Sequence, residues 1–170
     1  MNLYFSILLI ILSTGVFAQE SCKLTVDEKN GKTMAVGVGD RSVFADTAFA
    51  SWFDQEYDTF ETDPSLFGHV AEKLTKISID IVLGTWCSDS RREVPRFLKI
   101  TDLLMITPGQ IRLIFVDRAK HAGDLDISGY DIRLVPTFII LEDGKELGRI
   151  IETPVETLEK DFLKILQAKE

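Results

Sequence analysis

Cysteine and histidine are scarce in this chain of 170 residues, which has two of each. Neither His69 nor His121 belongs to a set spaced for metal ligation, so no metal and no cofactor is expected. Positive charge is in deficit as well, with 19 Lys+Arg against 27 Asp+Glu and a net charge of −8. Nucleic acids and anionic membrane surfaces are thereby excluded as partners, because neither would be attracted. Internal repeats, linkers and low-complexity segments are absent. Charge is missing altogether from Met1 to Ala18, where Leu3 to Leu12 is an apolar core and Val16-Phe17-Ala18 puts a small residue before Gln19. That pattern is a secretory signal peptide cut after Ala18, and it makes the protein secreted or periplasmic. The apolar core is too short for a comfortable membrane span, so no stable membrane insertion follows cleavage. The leader has no Lys or Arg, which leaves a retained N-terminal anchor as the alternative. Lipidation of Cys22 is rejected, because Gln19-Glu20-Ser21 is too polar for a lipobox.

What is present is organised around Ile79 to Pro95. An apolar, β-branched run stops at Trp86-Cys87, and Val94, Phe97, Leu98, Thr101, Leu104 and Met105 then recur at helical spacing. Cys87 thus falls at a strand-to-helix junction, where free N–H groups and the helix dipole favour an anion. A thiolate so favoured is available as a nucleophile. Arg91 and Arg92 add positive charge in the first turn, and Asp89 works against it. A lone cysteine after a strand is otherwise a small buried hydrophobe. Further on, Pro136 opens the apolar run Thr137 to Leu141, a place where a plain strand does not want proline.

Together these stretches resemble the thioredoxin superfamily, over roughly residues 60–168. The carriers are Trp86-Cys87-x-x-Ser90, Pro95 inside the following helix, and Val135-Pro136-Thr137. Arg91, Glu93 and Pro95 also resemble the secreted branch related to cytochrome-maturation thioredoxins. The resemblance implies a thioredoxin-like α/β fold, a central mixed sheet flanked by helices, and a cis Val135–Pro136 bond facing Cys87. It departs at two places. Ser90 stands where the resolving cysteine belongs, and Ile81 stands where thioredoxins keep a buried acid; Asp80, next door, points to the other face by strand alternation.

About 150 residues after the leader are enough for one core-bearing domain. Residues 19–62 are expected as an N-terminal extension and residues 63–170 as the thioredoxin-like domain. Lys23 to Val26 and Met34 to Val38 alternate weakly around Asn30-Gly31, a two-residue hairpin signal. A helix is expected from Asp46 or Thr47, with Phe49, Trp52, Phe53, Tyr57 and Phe60 as a stripe. Packing on the sheet explains that stripe better than a ligand groove. Asp63-Pro64 caps a second amphipathic helix through Leu74. Pro108-Gly109 ends the helix after Cys87, and Ile111 to Val116 is a strand parallel to the one before Cys87. Residues 118–130 form a loop or one short helix. Asp143-Gly144 turns a hairpin, and Thr153-Pro154-Val155-Glu156 is a capping box launching a last helix with Val155 inward.

The resemblance makes Cys87 and Ser90 the catalytic candidates, with Trp86, Val135 and Pro136 binding substrate. The expected activity is thiol–disulfide exchange, as a monothiol reductase or isomerase attacking partner disulfides. Partners would be disulfide- or thiol-containing proteins, and a small-molecule thiol or Cys22 could complete release. The alternative is a non-catalytic peptide- or protein-binding module on the same fold. Cys22 and Cys87 are expected to be unbonded, since Cys22 opens the hairpin and Cys87 tops the sheet. His69 or His121 as a base for Cys87 is a further, weaker expectation.

Overall fold

The structure is a computed structural model that describes residues 21–168. The expected leader and its cleavage point lie outside the described residues. Among the described residues, six strands form one sheet in the order β1-β2-β4-β3-β5-β6. They are β1 (Lys23–Val26), β2 (Thr33–Gly39), β3 (Ile77–Leu83), β4 (Ile111–Phe115), β5 (Thr137–Glu142) and β6 (Lys145–Ile151). Only β3 and β4 run parallel; every other pairing is antiparallel. Four helices accompany them: α1 (Ala50–Thr59), α2 (Ala71–Leu74), α3 (Ser88–Leu103) and α4 (Leu158–Gln167). The residues expected as an N-terminal extension are built into the sheet, because β2 pairs with β4.

Strand alternation divides the core in two. Ile77, Ile79, Ile81 and Leu83 of β3, Leu113 and Phe115 of β4, and Phe138 and Ile140 of β5 share one cluster with residues of all four helices. Val82, Ile114 and Ile139 face the other way, under Val116, Ala122, Ile127 and Val135. One face of the sheet thus carries the helices, and the other is closed by the segment between β4 and β5. From Ile79 to Leu83, β3 is buried on both faces, which is why its sequence is mostly apolar rather than alternating.

Pro95 sits inside α3 without ending it. Proline forfeits one backbone hydrogen bond, here to Arg91, but the fully buried Val94, Phe97 and Leu98 hold the helix against the sheet. The helix ends before Pro108-Gly109, contrary to expectation. Met105 takes a left-handed conformation (φ 58°), its N–H bonds Asp102 O at 3.0 Å, and the N–H of Ile106 reaches Thr101 O at 2.9 Å. That is a Schellman ending with methionine in the usual glycine place. Met105, expected inward, is 85% exposed as a consequence.

Other boundaries also shift. The first hairpin closes through a longer loop than Asn30-Gly31 alone. Asp27 N–H bonds Lys32 O, and the Asp27 carboxylate accepts from Lys29 N–H, which consumes the residues before Asn30 in a turn. α1 starts at Ala50, since the Asp46 carboxylate caps a separate turn by accepting from Ala48 N–H. Its aromatic stripe reaches the helix-side core through α3 and the turn before α1 rather than by lying on the sheet: Phe53 stacks on Phe44 at 4.4 Å, and the Tyr57 hydroxyl donates to Asp102 of α3 at 2.6 Å. The expected second helix is mostly a 3-10 segment, Pro64–Val70, continued by the single turn of α2. Thr157, not Thr153, caps α4 by accepting from Lys160 N–H. The Asp161 carboxylate takes the N–H groups of Val155 and Glu156, holding them out of the helix, and Val155 is 92% exposed. Asp143 and Gly144, both at positive φ, turn the β5–β6 hairpin as expected.

Candidate functional site

The site grows from the C-terminal end of β3, where the chain must pass from sheet to helix within four residues, Gly84 to Cys87. Each of these residues is pinned. Cys87 N–H bonds Gly84 O at 2.9 Å, and Ala35 N–H bonds the buried Thr85 hydroxyl at 3.1 Å. Arg91 Nε donates to Thr85 O at 2.6 Å. The Trp86 indole Nε1 donates to Val116 O at 2.8 Å. Cys87 is the N-cap of α3, in extended conformation, with Arg91 N–H on its carbonyl at 3.1 Å. A half-buried sulfur therefore stands at the positive end of a helix of 16 residues.

The cis Val135–Pro136 bond faces it. The Cys87 thiol donates to Val135 O at 3.2 Å. Pro136 O accepts from Glu152 N–H at 2.7 Å, and the Thr137 hydroxyl donates to Leu134 O, also at 2.7 Å, so the segment is fixed on both sides. Leu134, 45% exposed, offers apolar surface next to Val135. Trp86, Cys87, Val135 and Pro136 are thus brought together. Ser90 lies one turn into α3, fully buried, and its hydroxyl accepts from Gly84 N–H at 3.2 Å.

Ile81 is fully buried in the helix-side cluster. Asp80 points to the opposite face, where Arg112 Nε and Nη2 hold its carboxylate at 3.0 and 2.5 Å and Tyr130 OH donates to it at 2.9 Å. The Asp80 carboxylate is thus engaged away from the sulfur. The histidines are elsewhere engaged: His69 with Gln167, His121 with Asp117. Neither hydrogen-bonds Cys87, which removes the reason for assigning them as its base. Cys22 and Cys87 are both free thiols. Cys22 packs on the helix-side cluster and Cys87 on the other, and burial pushes the Cys22 thiol up. Among the described residues, no group of three or more His, Cys, Asp or Glu side chains could hold a metal ion.

Two residues that the motifs did not point to complete the arrangement. Arg118, just after β4, lies over the Trp86 ring, 4.8 Å from its centroid. Asp27, from the β1–β2 loop, receives its Nε and Nη2, each at 2.8 Å. The available signal was positional, since Arg118 follows the C-terminal end of a parallel strand, where open α/β sheets place their ligands.

A mixed α/β sheet protein with a helix-start cysteine against a cis proline is the class that these features define. No family model matches the chain. The chain is 24% identical over 118 residues to thioredoxin H5 of Oryza sativa subsp. japonica, an alignment covering 65% of this chain and 80% of that protein. It is also 24% identical over 98 residues to thioredoxin H9 of Arabidopsis thaliana, covering 58% and 66%. This weak homology supports a thioredoxin-like superfamily. Among solved structures, an HIV epitope-scaffold is similar at a TM-score of 0.46 and 17% identity, covering 75% of this chain and 81% of that one. A protein of unknown function from Pseudomonas aeruginosa follows at 0.45 and 20%, covering 71% and 75%. Neither adds to the assignment of the fold.

Proposed function

We propose that this protein is a secreted thioredoxin-like thiol protein in which Cys87 acts alone on partner disulfides. The observation that carries this reading is the half-buried Cys87 sulfur at the start of α3, 3.2 Å from the carbonyl that precedes cis Pro136. The thiolate attacks one sulfur of a partner disulfide. A Cys87–S–S–partner bond forms, the old S–S bond breaks, and the departing thiolate takes a proton from water. A second thiol, from the partner itself or from a small-molecule thiol, then attacks the mixed disulfide and returns Cys87 as thiolate. The fixed segment Leu134 to Thr137 offers main chain and an apolar side chain to an extended partner strand. The relatives' name, thioredoxin, supports thiol chemistry on proteins. Arg91, Glu93 and Pro95 favour the branch related to cytochrome-maturation thioredoxins. Residues 1–18 would be the leader and residues 63–170 the thioredoxin-like unit. N-terminal sequencing of the secreted protein should begin at Gln19.

A second reading, a binding module without turnover, is favoured by the buried, hydrogen-bonded Ser90 and the apolar Ile81. Non-reducing gels of extracts incubated with the protein separate the two. Wild type should accumulate dithiothreitol-sensitive adducts, and Cys87→Ser should form none while remaining folded. Ser90→Cys should lose the adducts and gain insulin reductase activity. Wild type free of adducts together with an inert Ser90→Cys variant would leave the binding module standing.

A further inference from the structure

We infer that Arg118 is the electrostatic partner of the Cys87 thiolate and that Asp27, on the N-terminal hairpin, is its positioning residue. The inference rests on the reading of Cys87 as a nucleophile. It makes β1 and β2 part of the active site rather than an appendage to it.

When Cys87 loses its proton it also loses its hydrogen bond to Val135 O, and a carbonyl oxygen next to a thiolate repels it. Something must compensate. The start of α3 supplies part of the field. The other charges around the sulfur come from three elements. On its own helix, Arg92 is tied to Asp89 at 2.8 Å and to Glu93 at 2.6 Å, and Arg91 points its Nε into Thr85 O. On the stretch leading to Pro136, Arg133 pairs with Asp131, but their side chains are 80% and 73% exposed, where water screens them. The third element is the segment after β4, which holds Arg118 over the ring of Trp86, the residue next to Cys87.

A guanidinium resting on an aromatic face has partly shed water, so its field reaches further than that of a free surface arginine. Asp27 keeps it there. The Asp27 carboxylate is almost fully buried and receives the guanidinium in a two-pronged fork, a geometry only arginine offers. The same carboxylate accepts from Lys29 N–H, which locks it to the hairpin turn. Arg118 is held further in its charged form, by the Asp27 hydrogen bonds first and by the charge on Cys87 in smaller part. Lys23, Glu28, Lys29 and Asp117 line the same groove between hairpin and loop.

The test is the rate of Cys87 alkylation by iodoacetamide from pH 5 to 10, in full-length protein carrying Cys22→Ser so that one thiol reports. Arg118→Met should slow alkylation at pH 7 by roughly three- to tenfold, a shift of up to about one pH unit along the profile. At pH 10, above the ordinary thiol range, its rate should equal wild type. Arg118→Lys, which keeps the charge but loses the fork, should recover part of the loss. Because Arg118→Met leaves Asp27 buried without its partner, Arg118→Met with Asp27→Leu removes both charges. It should show the same slowing with the same far-UV circular dichroism as wild type. Profiles of Arg118→Met and of the double variant that superimpose on wild type at every pH would overturn the inference. So would slowing that persists equally at pH 10, which signals lost access rather than a lost charge. Alkylation needs no partner disulfide, so failure of the exchange reaction shows separately, as absent adducts on the gels.

Discussion

Gly84 offers a test of how the site is built, because a single methyl there strikes the indole that carries the rest. A Cβ at Gly84 would stand 2.6 Å from Trp86 Cε2, 2.7 Å from Nε1 and 2.9 Å from Cζ2. Those atoms belong to a rigid ring, so the indole must swing away as a unit. It would then lose its bond to Val116 O and its place beneath Arg118. Overpacking of this kind costs about 1–3 kcal/mol. The lost hydrogen bond adds about 1 kcal/mol. Gly84→Ala should therefore lower stability by about 2–4 kcal/mol, read as a lower urea midpoint with an unchanged slope. Gly109→Ala is the control, since a Cβ there meets nothing within 4 Å; its change should stay within about 0.5 kcal/mol. The fluorescence of Trp86 should change in the first variant and not in the second. A Gly84→Ala midpoint equal to that of Gly109→Ala would refute this packing of Trp86.

Phe97→Ala should cost about 3–5 kcal/mol, because the ring is fully buried between Phe138 at 4.5 Å and Phe162 at 5.3 Å; a loss under about 1 kcal/mol in urea melts would contradict that core. The Arg118 fork holds the Asp27 carboxyl below its usual range. A depressed folded value means that its stabilising contribution is present above the ordinary value of about 3.9 and is lost as pH falls through the folded value. The stability difference between wild type and Asp27→Asn should accordingly shrink as pH drops from 5 to 2 in denaturant melts. A difference constant over that range would deny the pairing. Ser90→Cys puts a thiol in place of a buried hydroxyl that accepts from Gly84 N–H. Sulfur is the poorer acceptor, so this variant should be less stable by about 1 kcal/mol while gaining insulin reduction in a turbidity assay.

Local chemistry was legible along the chain wherever it needed no distant partner. The apolar run of β3, the helical stripe from Val94 to Thr101, the Asp143-Gly144 turn and the strand-to-helix position of Cys87 all depend on neighbours within a few residues. So did the face to which Asp80 points, because alternation follows from strand geometry alone. Caps were less legible. Thr153 carries the capping-box pattern and Thr157 does not, yet the Asp161 carboxylate decides for Thr157 by drawing Val155 and Glu156 N–H outward. The end of α3 was hidden for a related reason, since Met105 adopts a conformation that the sequence reserves for glycine, with buried Ile106 behind it.

Only tertiary structure could join Asp27 to Arg118, which are 91 positions apart, whereas the approach of Val135 to 3.2 Å from Cys87 across 48 positions was already implied by the thioredoxin resemblance. The sequence alone determined that a thiol would stand at a helix start and that its customary second cysteine is a serine. Which charge faces that thiol was decided by the pairing of β2 with β4, which carries the β1–β2 loop to the segment after β4. No local pattern encodes that pairing, because its hydrogen bonds are between backbone groups that every residue there possesses.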